Sequence, residues 1–207
     1  MPLFSSLNRY LDLRETEIDR IPEERGKRLE ELARYVRARV ADRKPSRLTF
    51  VCTHNSRRSQ IAQCWAQAAA DRYGVVGLET YSGGTEATAF NPRAVEALRR
   101  VGFQISRETD DANPVYLVRY SDTAPAIRTF SKIHDQTPNP AEGFCSVMTC
   151  STADANCPVV PGAALRVAIP YDDPGEADET RRENEAYDRC SLRISREMLY
   201  LFSRLGA

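Results

Sequence analysis

Hydrophobic positions along the 207-residue chain change period partway through. Leu29, Leu32, Val36 and Val40 recur at helical spacing with arginines and glutamates between them, so residues 1–45 are predicted to hold an amphipathic helix packed on the core or on a sister subunit. From Leu48 to Val51 the pattern becomes a short apolar, partly β-branched run of the kind buried in a parallel sheet, and a helical pattern over about 59–73 follows it. The alternation continues with a strand near 78–82, a helix near 92–101, strands near 145–149 and 165–169, and a C-terminal helix near 178–205. Within residues 112–144, Val115-Tyr-Leu-Val-Arg-Tyr and Ile127-Arg-Thr-Phe-Ser-Lys-Ile alternate as an antiparallel pair would. Strands alternating with helices predict an α/β domain over residues 46–207, a doubly wound parallel sheet flanked by helices and preceded by an N-terminal helical extension. Residues 112–144 read as an insertion that edges the sheet or overhangs the site.

The first strand stops at Cys52, and Arg58 and Ser59 follow where the helical pattern starts. Residues Cys52 to Arg58 therefore form a turn at a helix N-terminus, beyond the carboxyl end of a strand. Free backbone N–H groups and the positive end of the helix dipole favour an anion such as phosphate or arsenate there. The same field favours a thiolate over a thiol, which makes Cys52 the candidate nucleophile. Cys190 and Arg196 repeat the spacing inside a helical pattern with no strand before it, so that match has no loop to form a cradle. Cys64, Cys145 and Cys190 fit apolar patterns and read as core residues.

Cys150 and Cys157 flank a run of small and polar residues that reads as a flexible loop. They pair if that loop folds back to bring their Cα atoms within about 7 Å, and are otherwise inert buried thiols. His54 and His134 are the only histidines, which leaves no ligand set for zinc, so neither metal nor cofactor is expected. Asp173 stands before Pro174 beyond the 165–169 strand, where it starts a turn or gives a proton to a leaving oxygen.

Charge narrows the partners. Twenty-nine basic residues balance 29 acidic ones for a net charge of zero, so nothing draws the chain to nucleic acid or to a membrane surface. The first twenty residues lack an apolar signal core and no later apolar run is long enough to span a bilayer, which predicts a cytoplasmic location. Six cysteines in such a setting read as thiols with chemistry rather than a disulfide scaffold.

Four further stretches follow the Cys52 loop in order: Tyr81-Ser-Gly-Gly-Thr-Glu, Asn91-Pro-Arg-Ala-Val-Glu-Ala-Leu, Cys150 through Cys157-Pro-Val-Val-Pro-Gly, and Tyr171-Asp-Asp-Pro. With them the chain, over about residues 48–206, resembles the low-molecular-weight tyrosine phosphatase superfamily, and more closely its thioredoxin-coupled arsenate reductases. Gln60 stands where the phosphatases usually carry proline; His54 and Arg57 depart from the glycine and cysteine usual in that loop. The resemblance implies a thiol-dependent arsenate reductase. The oxyanion would lie against Thr53, His54, Asn55, Ser56, Arg57, Arg58 and Ser59, with the Arg58 guanidinium on its oxygens and Ser59 on the thiolate. Asn55 would hold the loop and Ser82 would brace Asn55. Asp173 would be the general acid. Cys52 would attack arsenate, Cys150 would attack Cys52, and Cys157 would attack Cys150, leaving a Cys150–Cys157 disulfide for thioredoxin. Some of these reductases hold potassium with an acid on the first helix; Gln63 occupies that position, so the ion is not expected. Two alternatives remain open: a phosphatase for tyrosine phosphate or a small phosphomonoester, working through a phosphocysteine, and a redox-responsive module that binds a phosphorylated partner.

Overall fold

The structure is a computed structural model that describes residues 2–157 and 159–205. Four parallel strands form the central sheet: β1 (Ser46–Cys52), β2 (Leu78–Gly84), β6 (Phe144–Met148) and β7 (Ala163–Ala168), in the order β2-β1-β6-β7. The chain leaves β1 for β2 on one side and returns to β6 on the other, so the strand order reverses beside the carboxyl end of β1, where ligands of open α/β sheets bind.

Strand alternation sorts the side chains to two faces. Leu48, Phe50, Cys145 and Val147 enter the main core, while Val51, Phe144 and Met148 enter a smaller cluster with Cys52, Cys150 and Val160. Helices α3 (Arg58–Arg72) and α6 (Glu183–Ser203) build the main core, with Trp65 wholly buried and donating to Ser191 Oγ at 2.8 Å.

The extension is two helices, α1 (Ser5–Glu15) and α2 (Glu23–Ala41), both packed on α6. Leu7, Leu11, Leu29, Leu32 and Val36 are buried in the same core, and Tyr10 stacks on Trp65 with centroids 5.4 Å apart. Val40 departs from the expected stripe: it is 42 % exposed on the last turn of α2, at the rim of a shallow apolar recess it shares with Tyr73 and Phe202.

After α4 (Pro92–Val101), a second, antiparallel sheet of β3 (Gln104–Arg107), β4 (Tyr116–Arg119) and β5 (Ile127–Thr129) contains the expected pair and an additional strand that its mostly polar sequence conceals. The insertion does not extend the central sheet with these strands. Its segment after β5 meets the main sheet through a bridge between Gly84 and Ile133. A separate 3-10 turn over Pro174–Ala177 is capped by the Asp173 side chain, and the C-terminal helix begins later than expected, at Glu183, because Glu179 takes a left-handed backbone (φ +63°) that a right-handed helix cannot contain.

Candidate active site

Cys52 is the last residue of β1 and is buried, its Sγ 3.1 Å from Ser59 Oγ in the first turn of α3. Ser59 Oγ in turn accepts the Asn55 side-chain amide at 2.9 Å. The left-handed residue of the loop is Asn55 (φ +46°), a residue type that tolerates this region, and not His54. Histidine in place of glycine therefore meets no backbone penalty. The His54 ring is half-exposed, 3.5 Å from the Glu86 carboxylate.

Asn55 is fixed by Lys132, which no sequence pattern marks, and by Gln60, which stands out in the sequence only for replacing the phosphatases' proline. Its Oδ1 accepts from the Lys132 backbone N–H at 3.0 Å, and the Gln60 side-chain amide donates to the Asn55 carbonyl at 3.1 Å. Gln60 Oε1 accepts Ser82 Oγ at 3.4 Å and also Thr129 Oγ1. The expectation that Ser82 braces Asn55 is thus corrected: the link runs through Gln60, which fills the space between them. Only the fold brings the insertion here, so no local signal marks Thr129, Ser131 or Lys132.

The loop spends its carbonyls on the protein and keeps its donors. Thr53 O accepts Glu86 N at 2.8 Å, His54 O accepts Ser131 Oγ at 2.9 Å, and Ser56 O accepts Asn91 N at 2.9 Å. Among the described residues no acceptor meets the backbone N–H groups of residues 53–58, and the buried Nε atoms of Arg57 and Arg58 are likewise unpartnered. Buried donors without acceptors are costly, and an oxyanion satisfies several at once. Gly84 closes the loop's other flank, where an added Cβ would lie 2.6 Å from Thr53 O and 2.8 Å from Asn55 N.

Asp173 comes to the loop from beyond β7. Its oxygens accept Arg57 Nη1 at 2.6 Å and Arg58 Nη2 at 2.7 Å, and Oδ1 also accepts Gly175 N at 3.0 Å. Burial alone would raise its pKa, but the Arg58 charge, the Gly175 N–H and Arg57 outweigh it and hold the carboxyl below its usual value. Arg57, expected among the residues that lie against the oxyanion, is one jaw of this clamp, its guanidinium lying against Gly175. Tyr171 sits in the same loop and donates to the buried Glu197 at 2.7 Å. Arg25, from α2, pairs with Glu197 at 2.8 Å, donates to the Ile169 carbonyl at 3.1 Å and covers the Tyr171 ring. The N-terminal extension thereby supports the loop that carries Asp173. A cavity of about 440 Å³ lies on the α6 side of this loop, with Cys190 in its wall.

The segment between Cys150 and Cys157 is not the expected flexible loop but a short helix, α5 (Ser151–Asn156). Cys150 Sγ caps it by accepting Ala153 N at 3.3 Å, and alanines favour the turn. Cys150 is buried with its Sγ 3.5 Å from Thr53 Oγ1; Cys157, partly exposed, packs on the cluster that holds Cys52 and Cys150. No disulfide is present among the described residues. The other three thiols are core residues, and burial pushes Cys64 and Cys190 up to about 12 and Cys145 higher still. No group of three His, Cys, Asp or Glu able to hold a metal occurs among the described residues, and none of their helices is long and apolar enough to cross a membrane.

Residues 47–115 match the sequence model of the family described as low molecular weight phosphotyrosine protein phosphatase. Arsenate reductase 2 of Staphylococcus epidermidis is 33 % identical over 127 residues, which cover 60 % of this chain and 76 % of the relative. An arsenate reductase of Staphylococcus aureus is 34 % identical over 126 residues, with the same coverage of 60 % and 76 %. Among solved structures, a low molecular weight phosphotyrosine phosphatase from Vibrio cholerae superposes with a TM-score of 0.51 at 16 % identity, covering 78 % of this chain and 97 % of its own. A structure described as an arsenate reductase in the phosphate binding state gives a TM-score of 0.51 at 17 % identity, with coverage of 77 % and 98 %.

Proposed function

Since this chain belongs to the low molecular weight phosphotyrosine protein phosphatase superfamily, close to its arsenate reductases, and is an enzyme of one of these types, we propose that it reduces arsenate by a thiol relay. The observation that carries this reading is the convergence of three cysteines: Cys52 and Cys150 share one buried cluster, and Cys157 packs against it. A phosphomonoester hydrolase needs only the first of these thiols.

The oxyanion sits on the N–H groups of residues 53–58 and on Arg58. The Cys52 thiolate attacks arsenic, and Asp173 gives a proton to the departing oxygen, which leaves as water. Cys150 then attacks Cys52 Sγ. The S–S bond forms, the S–As bond breaks, and its electron pair leaves with arsenic as arsenite, so arsenic(V) becomes arsenic(III). Cys157 attacks Cys150 and frees Cys52. A dithiol of the thioredoxin type restores the Cys150–Cys157 pair by the same exchange.

Arsenate turnover with a thioredoxin system is to be compared with hydrolysis of an aryl phosphate. Cys52→Ser should abolish both, because serine provides no comparable anion at neutral pH. Cys150→Ser and Cys157→Ser should stop repeated turnover with arsenate and spare hydrolysis. Wild-type arsenate turnover in both of these variants would overturn the relay and leave the phosphatase reading in its place.

A further inference from the structure

The geometry points to Arg166 as the residue that holds the Cys150–Cys157 segment helical and so sets how readily those two thiols pair, an inference that rests on the relay proposed above. Seven residues along a helix, at about 1.5 Å each, separate the two Cα atoms by roughly 10 Å, whereas a disulfide needs about 7 Å or less. Pairing therefore requires α5 to unwind. A helix of six residues is too short to hold itself.

Its C-terminal end is held from outside. Arg166 Nε donates to the Cys157 carbonyl at 2.9 Å, and Nη2 donates to the Asp154 carbonyl at 2.7 Å and to the Asp154 carboxylate at 2.5 Å. The Arg166 backbone belongs to β7, in register with Ser146 of β6, so the guanidinium is anchored on the sheet and not on the element that must move. One side chain thus satisfies two carbonyls at the end of α5 that water would otherwise take up.

In the step concerned, the Cys157 thiolate attacks Cys150 Sγ. The Cys150–Cys157 bond forms, the Cys52–Cys150 bond breaks, and Cys52 leaves as a thiolate that takes up the proton Cys157 gave. Cys157 sulfur is oxidised from thiolate to disulfide as Cys52 sulfur is reduced from disulfide to thiolate, Cys150 sulfur stays at the disulfide level, and no outside oxidant or reductant takes part. Arg166 touches none of these sulfurs. It is a positioning residue, stabilising the reduced, helical form over the unwound, oxidised one.

The test is the redox midpoint of the pair, measured on the full chain carrying Cys52→Ser, equilibrated in dithiothreitol buffers of graded oxidised-to-reduced ratio, alkylated and read by mass spectrometry. Arg166→Ala should favour the disulfide by about tenfold, a midpoint some 30 mV more negative. Arg166→Lys, which keeps the charge but not the fork, should fall between, and Asp154→Ala should shift it less than Arg166→Ala. Should Arg166→Ala fail to fold, the other two variants decide the matter: midpoints of Arg166→Lys and Asp154→Ala more negative than the parent's support the role of Arg166, and unchanged midpoints overturn it. A disulfide that forms with the same midpoint in all variants overturns the role of Arg166 and spares the relay. The absence of any Cys150–Cys157 disulfide, at every ratio and in every variant, overturns both.

Discussion

Asp173 closes on Arg58 at 2.7 Å and takes Arg57 with its other oxygen at 2.6 Å, so the candidate acid occupies the guanidinium that the candidate substrate needs. An oxyanion bound to the loop must displace Asp173 from Arg58. Both the lost ion pair and the arriving negative charge raise the Asp173 pKa, toward the protonated form a general acid requires. Binding of arsenate or phosphate should therefore take up a proton, up to one per site, at pH values between the depressed Asp173 pKa of the free protein and its raised value in the complex. Calorimetry in buffers of different ionisation enthalpy measures it, and Asp173→Asn should remove it.

The same clamp has a signature in stability. Asp173 titrates lower in the folded chain than the ordinary aspartate value of about 3.9. Its contribution is fully present above that value and is lost as pH falls through the lower, folded-state one. Asp173→Asn should accordingly lower the thermal midpoint at pH 7, and the difference from wild type should shrink below pH 4.

Lys132 titrates the opposite way. Burial pushes it down to about 8, and among the described residues its ammonium group meets the Phe130 carbonyl at 3.4 Å and the Phe130 ring. Below pH 8 the folded chain carries a poorly solvated charge; as pH rises toward about 10.4 the unfolded chain also loses its proton and the penalty disappears. Lys132→Met, which keeps the backbone N–H on Asn55, should stabilise the protein by about 1–3 kcal/mol at pH 7 and by little at pH 10.5. Denaturant melts at the two pH values measure the difference.

Arg25 and Glu197 tie the extension to the Asp173 loop. Arg25→Ala leaves Glu197 buried beside Tyr171 and a weaker Arg193 contact at 3.4 Å. The loss should be about 2–4 kcal/mol, somewhat under that of a fully isolated buried charge. Arg25→Met with Glu197→Gln should recover most of it, because the buried charge goes with its partner. Both are read as shifts in thermal midpoint, at roughly 2–4 °C per kcal/mol for a chain of this size.

Gly84 is a steric test of the cradle. Alanine there places Cβ 2.3 Å from Glu86 O and 2.6 Å from Thr53 O, backbone atoms with no flexible side chain to give way. Gly84→Ala should move the loop, reduce oxyanion affinity more than tenfold by calorimetry, and cost about 1–3 kcal/mol of stability.

Elements whose cause is local are legible in the chain's own pattern. The run from Leu48 to Val51 and the helix after Arg58 carry their own apolar pattern, the helix over Pro92–Val101 also has its own caps in Asn91 and Gly102, and the strand-to-helix turn at Cys52 is enough to place a thiol beside a loop at a helix N-terminus. Tertiary structure decided everything that depends on residues distant in the chain. Asn55 is held by Gln60 and by Lys132 from the insertion, Arg57 is turned onto Asp173, and Arg25 from the extension supports the Asp173 loop. The Cys150–Cys157 segment has the composition of a loop and is a helix for the same reason. Six residues of middling propensity take their state from what lies against their ends, here Arg166 on a neighbouring strand, and no period in the sequence records that contact.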